Sequence, residues 1–128
     1  MSRRNANESI TVSELKIDKD CFVDWDWIED YVHVVIVPVC RSLSATVQTV
    51  RTCNSKRKGI HFYIKIDPPV EATLANRLQW LLGDDSARVD FNRARIESGL
   101  SEWNKLFEVA NRRLRTIYRA EEKQSIEK

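Results

Sequence analysis

Two carboxylates and a histidine are the residues best placed to do chemistry together: Asp24 and Asp26 in VDWDW, and His61 in RTCNSKRKGIHFYIKI. Strict alternation sends Ile60, Phe62, Ile64 and Ile66 to one face of a predicted strand and His61, Tyr63 and Lys65 to the other. The same period in FVDWDW puts Val23, Trp25 and Trp27 on one face and Asp24 and Asp26 opposite, which predicts a second strand over 21–27. Both strands in one sheet would gather two hard carboxylates and an imidazole on a polar face. Magnesium or manganese takes such oxygen ligands and completes its shell with water and substrate phosphates. The same acids also suit a surface pair beside buried tryptophans, or a cap for the helix that follows.

From Asp26 to His61 is 35 residues, room for one helix and one returning strand. That order, a hydrophobic DxD strand, a helix and strand, then Ser55, Gly59 and His61 in SKRKGIH leading into a strand, resembles the archaeo-eukaryotic primase superfamily, the primase-polymerases, over about residues 20–95. The resemblance implies metal-dependent nucleotidyl transfer, with Asp24, Asp26 and His61 as catalytic residues. It implies magnesium or manganese on Asp24 and Asp26, with a third ligand from a hydrophobic-Asp motif whose nearest match is Val89-Asp90, Asp84 and Asp85 being rivals. It also implies a nucleoside triphosphate, for which Ser55, His61 and Lys65 are the expected contacts, and Tyr63, on the polar face between His61 and Lys65, is placed to stack on base or sugar. The chain is shorter than a usual primase catalytic domain, lacks a zinc-binding cysteine set, and places Asp90 in a predicted helix. The alternative from another class is a non-catalytic DNA- or RNA-binding module on the same fold.

Charge distribution favours a polyanionic partner under either reading. The net charge is +2, but residues 31–66 carry six Lys or Arg and no Asp or Glu, whereas residues 1–30 carry eight acids against four bases. The basic block includes Lys56, Arg57 and Lys58. A second candidate surface is GDDSARVDFNRARIESG, where Arg88 and Arg95, seven apart, share a helical face suited to phosphate contacts; a solvent-facing helix stitched by its own acids fits the same spacing. The third class, a structural or interaction domain, would use these charges only for solubility.

The elements that position these residues follow from periodicity. Residues 1–9 read as a disordered leader, 10–120 as one α+β domain and 121–128 as a frayed tail. Strands are predicted over 11–17 and 21–27, and a helix over 28–43 in spite of its β-branched residues and Pro38. A hairpin is predicted from 45–53 and 60–66, closed by the NSKRKG loop. Asp67-Pro68-Pro69 is expected to end the strand and start a helix with the stripe Val70, Leu74, Leu78, Leu81 and Leu82. Asp84-Asp85 caps a second helix that stops at Gly99, and Ser101 caps a third running through Trp103, Leu106, Phe107, Ala110, Leu114 and Ile117. The sum is a small, mostly antiparallel sheet covered by helices, with a helical C-terminal half. Trp25, Trp27, Trp80 and Trp103 are expected in the core. Three widely spaced cysteines suggest neither disulfides nor a metal site, and no apolar run reaches membrane-span length, so a cytoplasmic protein is expected.

Overall fold

A computed structural model describes residues 11–19, 24–54, 59–104 and 113–120. The first described element is β1 (Thr11–Lys19), in which Leu15 and Ile17 are fully buried and Lys16 between them is not. A helix follows in three connected pieces: α1 (Trp25–Asp30), a π-helical segment (Tyr31–Ile36) and α2 (Val37–Ser42). Helix therefore prevails over 28–43, as the long apolar spacing predicts, with Ile28, Tyr31, Val32, Ile36 and Cys40 turned into the core. The widened turns lie just ahead of Pro38, which has no N–H to donate and whose ring crowds the preceding turn. There the Val37 N–H donates to the Val32 carbonyl, a π-type bond.

The hairpin forms as predicted, with β2 (Thr46–Asn54) antiparallel to β3 (Ile60–Glu71). β3 runs on through Pro68 and Pro69, which corrects the expectation that they start a helix. Lys65 pairs Glu14 and Val70 pairs Val12, so the prolines, unable to donate to a ladder, fall in an irregular stretch between the two. Next come α3 (Ala72–Leu81) and α4 (Ser86–Glu97), the latter N-capped by Asp85. The buried stripe of α3 is Ala72, Ala75, Asn76, Leu78 and Gln79, while Trp80 and Leu81 are 58% and 53% exposed.

Beyond α4 the described residues are not helical. Residues 102–104 are irregular and 115–119 form β4 (Arg115–Arg119) against β2, at the two ends of the predicted third helix, whose Leu106, Phe107 and Ala110 lie outside the described residues. Thr116, Ile117 and Tyr118 suit a pleated surface, and pairing satisfies β2's second edge. The sheet order is β1-β3-β2-β4, all antiparallel, an α+β arrangement. Phe62, Ile64, Leu15, Val50, Tyr31, Leu78 and Trp103 share one core between this sheet and the helices. No helix among the described residues is long and apolar enough to cross a membrane.

Candidate nucleic-acid interface

The carboxylates of VDWDW do not lie on a strand. Asp24 is the N-cap of α1, where its Oδ1 accepts a hydrogen bond from the Trp27 N–H at 2.9 Å, and Asp26 is exposed in the first turn. An acid there satisfies an orphan N–H and complements the helix dipole, a local gain that overrides the alternation. The indoles change role with the backbone. Trp25 and Trp27 are 46% and 38% exposed, not core. The Arg115 guanidinium sits 4.3 Å from the Trp25 ring centre, and Trp27 stacks on Tyr31 at 4.8 Å with the Lys19 ammonium over both rings.

His61 lies on β3 and is 1% exposed; its Nε2 is 3.4 Å from Asp18 Oδ1. Asp90 is on α4, ion-paired with Arg93 at 3.2 Å. Asp24 and Asp26, Asp90 and His61 thus belong to three separate elements. Among the described residues no three His, Cys, Asp or Glu side chains converge in a way that could hold a metal ion. This donor set does not fit the magnesium or manganese that the primase resemblance implies. Ser55, Lys56, Arg57 and Lys58 lie outside the described residues, between Asn54 and Gly59.

The arginine row of α4 faces inward. Arg88 Nε reaches both oxygens of Asp84 at 3.2 and 3.1 Å, and its Nη2 donates to the Lys16 carbonyl and to Asn104 Oδ1, each at 2.9 Å. Asp84 Oδ1 accepts from the Asp18 N–H, and Gln79 Oε1 from the Lys16 N–H, both at 2.9 Å. Together these side chains cover the outer edge of β1, which pairs with no further strand among the described residues. Arg95 Nη1 donates to Asn92 Oδ1 and the Trp103 carbonyl at 3.2 and 3.4 Å, and Asn92 donates in turn to the buried Asn76 at 3.1 Å. Arg88 and Arg95, expected as phosphate contacts, thus both make hydrogen bonds within the fold. A helical face seven residues apart looks the same in sequence whether it meets solvent or a polar interior. The burial of Asp84 raises its carboxyl above the usual carboxylate range, and Arg88 and the Asp18 and Asp85 N–H groups offset this in part.

Tyr63 and Lys65 stay where alternation places them, on the sheet face opposite the core. Register builds rows across all strands there: Arg119, Thr49, Lys65 and Glu14 in one, Thr116, Arg51, Tyr63 and Lys16 in the next, then Cys53, His61 and Asp18. Lys65 and Arg119 are exposed and Tyr63 is half-buried. Arg51 shares its charge with Glu14 at 3.4 Å, and Lys16 Nζ donates to the Asn104 carbonyl at 3.0 Å. Four cations thus stand around one aromatic ring, with two acids, Glu14 and Asp18, toward the β1 side. Arg119, Arg51 and Lys16 carry no sign in the sequence of belonging to this face, because strand neighbours far apart in the chain leave no local signal. Comparison with family models, with curated proteins and with solved structures finds no match to this chain.

Proposed function

We propose that the protein is a nucleic-acid-binding module that uses the polar face of its sheet. The carrying observation is the pair of cross-strand rows that set Lys16, Arg51, Lys65 and Arg119 around Tyr63. Exposed cations at sheet spacing neutralise phosphates, and a half-buried tyrosine among them offers a ring on which a base can stack. In the sequence, Lys56, Arg57 and Lys58 stand between the two strands that carry Arg51 and Lys65, which extends the run of bases without an acid. The nucleotidyl-transfer reading lacks this kind of support, because Asp24 caps a helix, Asp26 is exposed in its first turn and the histidine is enclosed.

The test is fluorescence anisotropy with labelled single- and double-stranded oligonucleotides over a salt series. Binding should weaken steeply with salt, and Lys65→Ala with Arg119→Ala should reduce the log–log slope by about 0.7–0.9 per lost contact. Tyr63→Ala should weaken single-strand binding by about 1–3 kcal/mol and change the slope little. Unaltered affinity and slope in the Lys65/Arg119 variant would sink the proposal.

A further inference from the structure

The outer side of the helical layer carries a groove that the nucleic-acid reading does not use. It lies between α3 and α4, has a volume of about 560 Å³, and is lined among others by Trp80, Leu81, Val89 and Ile96. Its lining positions on α3 and α4 recur at three- and four-residue spacing, with buried Asn76, Val89 and Ile96 at the floor and Arg77, Trp80, Leu81 and Glu97 at the rim. Trp80 and Leu81 are more than half exposed, which is unusual for large apolar side chains that meet on a groove wall.

We infer that this groove is a two-fold self-association surface, in which the α3–α4 hairpin of one copy packs against the same hairpin of a second copy. Charge selects this occupant. The α3 wall carries one cation, Arg77, and no acid, whereas the α4 wall carries Asp90, Arg93 and Glu97 and is net negative. Asp90 is already engaged by Arg93 at 3.2 Å, so Glu97 is the carboxylate left for an incoming guanidinium. A two-fold axis across the groove sets the α3 wall of each copy against the α4 wall of the other. That arrangement brings Arg77 of each copy to the net-negative α4 wall of the other, where Glu97 can accept it, and brings the exposed Trp80 and Leu81 of both copies into the contact. An isologous contact needs this self-complementarity, and an arbitrary partner would not produce it.

The experiment is light-scattering mass determination with sedimentation over a dilution series of the full chain. The expected mass is twice the 15.0 kDa chain at high concentration, falling to that of the chain on dilution. Leu81→Glu should give the chain mass throughout, with the melting curve of the dilute, dissociated wild type, since the side chain is exposed. Arg77→Glu should weaken association by about fivefold, and Arg77→Glu with Glu97→Arg should restore it. A mass of one chain at every concentration would overturn the inference and leave the groove to another occupant. A dimer that survives Leu81→Glu, or a double charge swap that fails to rescue, would overturn it as well.

Discussion

Burial holds the Asp84 carboxyl above the ordinary carboxylate range, and Arg88 pulls it back only in part. A carboxyl whose folded pKa is raised keeps its proton to higher pH in the fold than in the unfolded chain. Its contribution to stability is thus fully present below the unfolded value, about 3.9, and is lost as pH rises through the folded value. Arg88→Met removes the guanidinium and leaves Asp84 buried without its ion partner, so the folded pKa should rise further. The variant should lose about 3–5 kcal/mol at pH 7, as a broken buried pair does. The deficit should shrink as pH falls toward about 4, in urea melts at the two pH values; an equal deficit at both would show that Asp84 carries no charge in the fold. Asp24 gives a contrasting case. Asp24→Ala should cost about 0.5–2 kcal/mol through the lost N-cap, and Asp24→Asn almost nothing. A large loss in the asparagine variant would reveal a need for the charge itself. These two acids mark what single residues disclose: DWDWI is as good an N-cap signal as a strand signal, and which one operates depends on packing partners elsewhere in the chain.

Elements were legible where one face was continuously apolar. β1, the β2–β3 hairpin, α3 and α4 follow from Leu15 and Ile17, Phe62 and Ile64, Leu78, and the Asp85 cap with its Gly99 stop. The helix over 28–43 was legible by length, but not the π turns before Pro38. β4 was not legible, because Leu114 and Ile117 keep helical spacing with Trp103 while the choice is made by β2's unpaired edge, some sixty residues earlier in the chain. The turn that ends α3 shows how elements lock one another. Gly83 has φ +96°, and a Cβ there would lie 2.6 Å from Lys19 Nζ, the ammonium that covers Trp27 and Tyr31. Beside it, the Tyr31 hydroxyl donates to the Leu82 carbonyl. Gly83→Ala should therefore cost about 1–2 kcal/mol from the backbone conformation alone, and more from displacing Lys19. In a Lys19→Ala background only the backbone part should remain, so thermal melts of the four proteins should show a smaller Gly83→Ala effect there. Equal effects in both backgrounds would mean that Lys19 yields freely and does not link β1 to this turn.

At the scale of the molecule, the sheet separates the two surfaces. α1, the π segment, α2 and α3 pack on one face through Tyr31, Ile36, Leu78 and their neighbours, and Lys65, Tyr63, Arg51 and Arg119 occupy the other. The α3–α4 groove opens from the helical layer and shares no lining residue with the cation rows. Substitutions at sites without common partners act additively on stability, and the same independence should hold for binding. Leu81→Glu should abolish self-association yet keep the affinity and salt slope for a short oligonucleotide within about twofold. Lys65→Ala with Arg119→Ala should do the reverse, lowering affinity and slope at unchanged mass. Parallel anisotropy and light-scattering measurements on the two variants and their combination decide the matter. If Leu81→Glu weakened oligonucleotide binding as strongly as the sheet-face variant does, the groove and not the sheet would be taking the nucleic acid, and Trp80, not Tyr63, would become the ring to test for stacking.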